Sequence, residues 1–438
     1  MLKRERRLIV LLAGISLILL SWISLKANTA FSDETIYQNL KLFSDVLNLV
    51  QENYVEEVES ERLIYGAISG MLRELDPHSS FLRPEDYKEL QIETRGKFGG
   101  IGIEITIRDN VLTVVAPLEG TPADRAGIEA NDQIVRINDE PTQDMTLMEA
   151  VQKMRGPKGT DVKLTILREG ERKPLELTLT RDTIVIQSVR SRLLDKGYGY
   201  VRISSFQTGT IRDLQKTLAK LEREESPLQG LVLDLRNNPG GLLDQAVEVS
   251  DEFLDKGLIV YTDGRLDGQK MRFEAQTNRN SPHDYPMVVL VNTGSASASE
   301  IVAGALQDHK RAVILGEPTF GKGSVQTVIP LNDGSAIRLT TSLYYTPKGR
   351  SIQAKGIEPD ILLKREAPGE NDDDEDEDRL RSLREKDLRH HMETSQSSSS
   401  AEEEELKETR RWLQGDNQVK RALELLKSYK IMAHIRLQ

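Results

Sequence analysis

The sequence predicts an α/β core built on a mostly parallel sheet, with an inserted β-rich module and helical segments at both ends. Three patterns carry this. From residue 197 onward, strand patterns at 230–235, 287–291 and 312–315 alternate with helical patterns over 242–254 and 297–308, the mark of βαβ units. Between about 95 and 180 the pattern shifts to alternating runs at 101–105, 111–115, 133–137 and 162–167, with one helix over 146–153, which describes a small β domain. Before these, Ile36, Leu40, Phe43, Leu47, Val50 and Tyr54, then Leu63, Ile64, Ala67, Ile68, Met71, Leu72 and Leu75, recur at helical spacing. They predict two helices within 34–80, the second ended by the turn chemistry of Asp76-Pro77-His78-Ser79-Ser80.

A chain of 438 residues holds two or three domains at about 100–200 residues each. The boundaries read as 90–180 for the β module and 185–363 for the α/β core, which also takes part of 81–95. Cysteine is absent, which excludes disulfides, zinc knuckles, iron–sulfur ligation and thiol nucleophiles. No phosphate loop or ligand cluster occurs, so no metal and no cofactor is implied. The net charge of −11 is accounted for by seven acids over 372–378 and four over 402–405. The remainder is balanced, and a nucleic-acid partner has no electrostatic footprint.

At the amino end, Lys3, Arg4, Arg6 and Arg7 precede an apolar run from Leu8 to Leu25. Residues 1–30 read as a signal peptide or an uncleaved signal anchor in the inner membrane, and both stay open. Either places the rest of the chain outside the cytoplasm, in the periplasm or cell envelope. After Pro359, charge and serine dominate, so 365–401 is expected to be a disordered linker. Leu406, Trp412, Leu413, Val419, Leu423, Leu426 and Met432 give 402–438 the look of amphipathic helices with no assigned partner surface. The acidic tail fits a solvated spacer, an adaptor-docking arm or an inhibitory segment.

In the β module, Gly99-Gly100-Ile101-Gly102-Ile103 opens a strand with glycines. Successive backbone N–H groups can then converge on an anion, and a neighbouring strand edge can accept an added peptide strand. Pro117, Gly120-Thr121-Pro122-Ala123, Ala126-Gly127-Ile128, Asn131-Asp132 and 134–138 follow in order. The ordered set resembles a PDZ domain of the bacterial protease type, which implies capture of peptide carboxyl termini.

In the α/β core, strand 287–291 runs into Asn292-Thr293-Gly294-Ser295-Ala296-Ser297-Ala298-Ser299-Glu300. A serine at a strand-to-helix turn is exposed at the sheet edge, close to helix-terminal N–H groups that can stabilise an oxyanion. The competing reading is a capping box, Ser297-x-x-Glu300. None of the six histidines (His78, His283, His309, His390, His391, His434) lies in a recognisable triad context. The candidate base is Lys322, in Thr319-Phe320-Gly321-Lys322-Gly323-Ser324. A lysine takes a proton only when neutral, a state favoured by desolvation. Gln326 shares its face if the stretch is extended, and could orient the amine. Leu233-Asp234-Leu235-Arg236-Asn237-Asn238-Pro239-Gly240-Gly241 is a second strand-to-loop segment, where Arg236 and Asn237 brace the loop.

Taken together, 295–301, Gly316-Glu317-Pro318-Thr319-Phe320-Gly321-Lys322-Gly323-Ser324-Val325-Gln326 and Tyr344-Tyr345-Thr346-Pro347-Lys348-Gly349-Arg350-Ser351-Ile352-Gln353 closely resemble the C-terminal processing (tail-specific) proteases, over about residues 35–362. The resemblance implies a serine endopeptidase with Ser297 as nucleophile, Lys322 as base and Gln326 in support. The residue types alone do not choose Ser297 over Ser295 or Ser299. It also implies an oxyanion hole from the Ala298 N–H and the glycine loop, Gly241 ahead of Gly240. Protein or peptide substrates would enter by their C-termini, and family members pair through terminal helices, which implies a homodimer. Arg155, in Met154-Arg155-Gly156-Pro157-Lys158-Gly159, is either a surface-turn residue or a relay from tail docking to the active site. The competing readings are a non-catalytic PDZ tail-binding adaptor and a scaffold dominated by its helical ends. The family pattern offers nothing for 365–438.

Overall fold

The computed structural model describes residues 36–108, 110–171, 173–225, 227–276, 283–366, 409, 412, 413 and 415–436. The basic and apolar segment 1–30, nearly all of the acidic linker 365–401 and the start of 402–438 lie outside them. The chain divides into two units, residues 1–81 with 337–339, and 82–336 with 340–438.

In the first unit, helix α1 spans 36–53 and α2 spans Ser60–Arg73. Ile36, Tyr37, Leu40 and Phe43 of α1 are exposed. Strand β1 (Ser80–Leu82) closes this part of the chain.

The second unit begins with α3 (Pro84–Arg95), which starts on a proline and ends on Gly96 in the left-handed region. The β module follows as β2 (Lys97–Gly100), β3 (Ile103–Arg108), β4 (Val111–Pro117), α4 (Pro122–Arg125), β5 (Gln133–Ile137), β6 (Glu140–Pro141), α5 (Leu147–Met154), β7 (Asp161–Leu167), β8 (Leu175–Thr180) and β9 (Asp182–Val185). Its sheet runs β3-β4-β5-β7-β8, with β6 beside β5, and β2 pairs separately with β9. Inward side chains alternate along β7, where Val162, Leu164 and Ile166 meet Ile101, Val114, Ile134, Ile137, Ala150 and Met154 in one core. A capping box between Thr146 and Glu149 starts α5. Strand β3 forms one edge of the sheet.

The α/β core contains β10 (Val189–Asp195), β11 (Tyr198–Ile203), α6 (Thr210–Glu224), β12 (Gly230–Asp234), α7 (Leu243–Phe253), β13 (Gly257–Gly264), β14 (Arg272–Ala275), β15 (Met287–Val291), α8 (Ala298–Asp308), β16 (Val313–Gly316), β17 (Ser324–Pro330), β18 (Ala336–Tyr345), β19 (Ile361–Leu362) and α9 (Asn417–Arg436). The main sheet runs β10-β11-β12-β15-β16-β19; β10 is antiparallel to β11 and the other pairings are parallel. Every residue of β12 and β15 is buried, as both faces of the sheet are covered. One face packs against α6, α7 and α8 through Leu214, Leu218, Val249, Ile301 and Val302. Helix α9 covers the other, setting Val419, Ala422, Leu423 and Leu426 on Tyr198, Val232, Val288, Leu290 and Leu315. That face is the partner surface the tail's apolar spacing left unassigned. A second sheet places β18 beside both β17 and β13, with β14 beyond β13, and β13 runs antiparallel to β14 and β18; the sequence pattern does not predict β13, β14 and β18.

The lead into β15 is clasped to two helices. His283 Nδ1 lies 2.8 Å from Glu222 of α6, and Nε2 lies 2.9 Å from Glu252 of α7. Burial opposes the imidazolium, but the two carboxylates outweigh it and raise His283 above its ordinary 6.5. The stabilisation is therefore complete below that value and fades as pH rises through the raised folded value. His283→Ala is expected to destabilise by about 2 kcal/mol near pH 6, and chemical denaturation at rising pH should find the deficit shrinking. A deficit that grows toward pH 9 would contradict this account of the clasp.

Candidate active site

Strands β12, β15 and β16 are neighbours and parallel, so the loops that follow them leave the same edge of the sheet. The loop after β12 carries Arg236 to Gly241, the turn after β15 carries Ser295 to Ser297, and the loop after β16 carries Thr319 to Lys322.

Ser297 immediately precedes α8 with φ 54 and ψ −111, a strained conformation for a residue with a Cβ. Its two neighbours of the same type are committed to structure. The Ser295 hydroxyl donates to the Leu235 carbonyl (2.8 Å), and that of Ser299 to the Asn238 carbonyl (2.9 Å). The capping alternative is half realised: Glu300 reaches back to the Ser297 N–H (2.8 Å), but the Ser297 side chain makes no cap hydrogen bond. The Tyr344 phenol meets the Ser297 side chain. Burial pushes that phenol up to about 12, with the serine contact opposing.

The carboxylate of Glu300 is fully buried and joins two loops. Oε2 accepts the N–H groups of Ser297 (2.8 Å) and Lys322 (2.9 Å), while Oε1 accepts the Thr319 hydroxyl (2.5 Å) and the Gly321 N–H (2.7 Å). One oxygen thus holds the backbones of Ser297 and Lys322 together. The sequence identified Glu300 only as a capping partner; its reach to Lys322 depends on β15 and β16 being adjacent. Tyr344 was missed too, since β18 was not recognised.

Lys322 lies ahead of β17, which starts at Ser324. Gln326 is the third residue of that strand, whose own alternation puts it on the face of Ser324. Gln326 Nε2 donates to Ser324 Oγ (2.8 Å). The turn is closed by the last residue of the third motif: Gln353 Oε1 accepts the Gly323 N–H (3.0 Å).

The two loop glycines are not equivalent. The Gly240 N–H donates to Asn238 Oδ1 (2.9 Å). A Cβ at Gly240 would lie 2.8 Å from the Ser297 Cβ, and one at Gly241 would lie 2.1 Å from the Phe206 carbonyl oxygen. Both positions therefore require glycine. Among the described residues, the N–H groups of Gly241 and Ala298 donate no hydrogen bond. The loop is pinned by Asn238 Nδ2 on the Ile203 carbonyl (2.9 Å) and by paired bonds between Asn237 and Asn292.

In the β module, Gly99 and Gly100 end β2, pairing with Thr183 and Asp182, while Ile101 and Gly102 form a link and Ile103 begins β3. The glycines therefore join two strands, where the sequence suggested the opening of one. The Ile101 side chain is buried in the module core, and among the described residues the N–H groups of Ile101 and Gly102 donate no hydrogen bond. The link lies at the start of the edge strand. Arg155 ends α5, stacks 4.5 Å over the Phe98 ring and pairs with Glu89 of α3. From the end of α3 the contacts continue, with the Thr208 N–H on the Thr94 carbonyl (2.8 Å) and the Phe206 N–H on the Gly240 carbonyl (2.9 Å).

Comparison with known proteins matches residues 197–363 to peptidase family S41, 89–167 to the PDZ domain and 21–85 to the activating protease CtpB N-terminal domain. The carboxy-terminal-processing protease of Bartonella bacilliformis is 46% identical over 365 residues, covering 83% of this chain and 84% of that one. The carboxyl-terminal-processing protease of Synechocystis is 42% identical over 357 residues, covering 80% of each. Among solved structures, the photosystem II D1 C-terminal processing protease is 33% identical, covering 74% of this chain and 92% of that one with a TM-score of 0.43. At 46% and 42% identity to relatives over about four-fifths of its length, and with family models matching both the α/β core and the β module, the chain belongs to the carboxy-terminal-processing proteases, serine peptidases of family S41 that carry a PDZ domain.

Proposed function

We propose that the protein is an extracytoplasmic endopeptidase that grips the carboxyl terminus of a protein substrate in its PDZ domain and cleaves upstream with a Ser297–Lys322 dyad. The observation that carries this reading is the Glu300 carboxylate, one oxygen of which holds the backbones of both residues. Ser297 attacks the scissile carbonyl while Lys322, uncharged, takes the hydroxyl proton. The tetrahedral oxyanion is met by the N–H groups of Ala298 and Gly241, both unspent, whereas the Gly240 N–H is already used. Lys322 returns the proton to the leaving amine, and water then hydrolyses the acyl-enzyme. Gln326 supports the dyad from the third residue of β17. The choice of Ser297 is supported by the commitment of Ser295 and Ser299 to backbone carbonyls.

For the substrate tail, the N–H groups of Ile101 and Gly102 supply anion donors, and the open edge of β3 supplies a place for an added strand. Arg155 would relay docking through Glu89 and α3 toward the Gly240 loop. The extracytoplasmic location rests on the basic and apolar segment 3–25. Pairing of two copies through 36–75 is part of the same reading, supported by the exposed apolar residues of α1.

Purified protein should cleave fluorescein-labelled casein, and Ser297→Ala or Lys322→Ala should each lower turnover by about 10³-fold or more; parental turnover in either variant refutes the dyad. Glu300→Gln is expected to lower kcat by about 100-fold and stability by about 3 kcal/mol, and an unchanged kcat would remove Glu300 from the account. An internally quenched peptide with a free carboxyl terminus should be cut faster than its amidated twin, whereas equal rates would argue against tail capture.

A further inference from the structure

A buried ion network joins the C-terminal segment to the loop that carries Gly240 and Gly241. Arg236 is only 3% exposed, and its guanidinium is shared between two acids. Nε and Nη2 donate to the Asp234 carboxylate at 2.7–3.1 Å. Nη1 and Nη2 each donate to one oxygen of Asp416 (2.9 Å), and Nη1 also donates to Gln418 Oε1 (2.8 Å). This two-sided, planar engagement suits arginine and no other cation. Asp416 stands 180 residues downstream of Arg236 and accepts the Val419 N–H (3.1 Å) at the start of α9. Gln418 Nε2 holds the Leu363 carbonyl (2.6 Å). On the far side, the Tyr200 hydroxyl donates to Asp234 (2.7 Å). Burial would raise the Asp416 carboxyl, but Arg236 outweighs it and holds it below its ordinary value.

Arg236 is also where the loop leaves β12. Its N–H donates to Asp234 Oδ1 (2.9 Å) and its carbonyl accepts from Arg202 (3.3 Å). Fixing the guanidinium fixes the direction of the chain toward Gly240 and Gly241. Stability alone does not call for charge here: α9 is already anchored by Val419, Ala422, Leu423 and Leu426, and buried ion pairs are often no more stabilising than apolar packing. What the ion pair adds is orientation.

We propose that Asp416 and Gln418 are positioning residues of the protease reaction, so that docking of the segment after the acidic linker on Arg236 sets the loop that presents the Gly241 N–H. The inference rests on the proposed Ser297–Lys322 site and its oxyanion donors, and makes the C-terminal segment part of the catalytic apparatus.

The test uses the full chain with fluorescein-labelled casein, well below every variant's unfolding midpoint. Asp416→Asn should lower kcat by about 10- to 100-fold with KM within about twofold of the parent, the mark of a misplaced transition-state donor. Gln418→Leu, which removes one acceptor from Arg236 together with the donor to the Leu363 carbonyl, should lower kcat by about threefold. Leu423→Ala, which weakens the same helix without touching the ion pair, should lower the unfolding midpoint and keep the parental kcat. Parental kcat in folded Asp416→Asn would overturn the proposal, as would parental kcat in Gln418→Leu should Asp416→Asn fail to fold. A loss in Leu423→Ala equal to that in Asp416→Asn would also overturn it, by reducing the effect to general docking. Cleavage of casein by Ser297→Ala would instead refute the underlying dyad.

Discussion

One fully buried carboxylate, that of Glu300, ties the turn after β15 to the loop after β16. A carboxylate in such a place is tolerable only when its lone pairs are occupied, and four donors from two loops occupy them. The same four bonds hold Ser297 and Lys322 in register. A residue that sequence logic places in a helix cap is therefore also the clamp of the site.

The main sheet supplies the platform for that clamp. Its adjacent parallel strands deliver three loops to one edge, and the helices on one face and α9 on the other keep the strands fixed. Small residues then allow close approach: Gly240 lies against Ser297, Gly241 against Phe206. The strained backbone of Ser297 persists because both of its neighbouring serines, and the carboxylate below, hold the turn from several sides. The link between module and core runs through hydrogen bonds at the end of α3, so the β module and the Gly240 loop share a continuous set of contacts.

Much of this was legible in the residues. The short runs of β12 and β15, spaced by helical patterns, announced strands of a βαβ core, and the run of β7 announced a strand of the small β domain. The short, ordered motifs gave the family. Other features depend on which chains lie side by side, which no local pattern encodes. Three serines at alternating positions are equivalent as a string, and become distinct only where Leu235 and Asn238 offer carbonyls to two of them. Strands β13, β14 and β18 are half-exposed and of mixed polarity, so their periodicity is weak. The apolar stripe of α9 predicted a helix but not the sheet face beneath it, and the union of Arg236 with Asp416 spans too much sequence to be read from either end.

The central claim, that Ser297 is made reactive by Lys322, is tested most directly without a substrate. Exposure of the purified protein to a fluorophosphonate, followed by peptide mass spectrometry, should find the adduct on Ser297 alone, forming far more slowly in Lys322→Ala. An adduct on Ser295 or Ser299, or an equal rate of labelling without the lysine, would contradict the account.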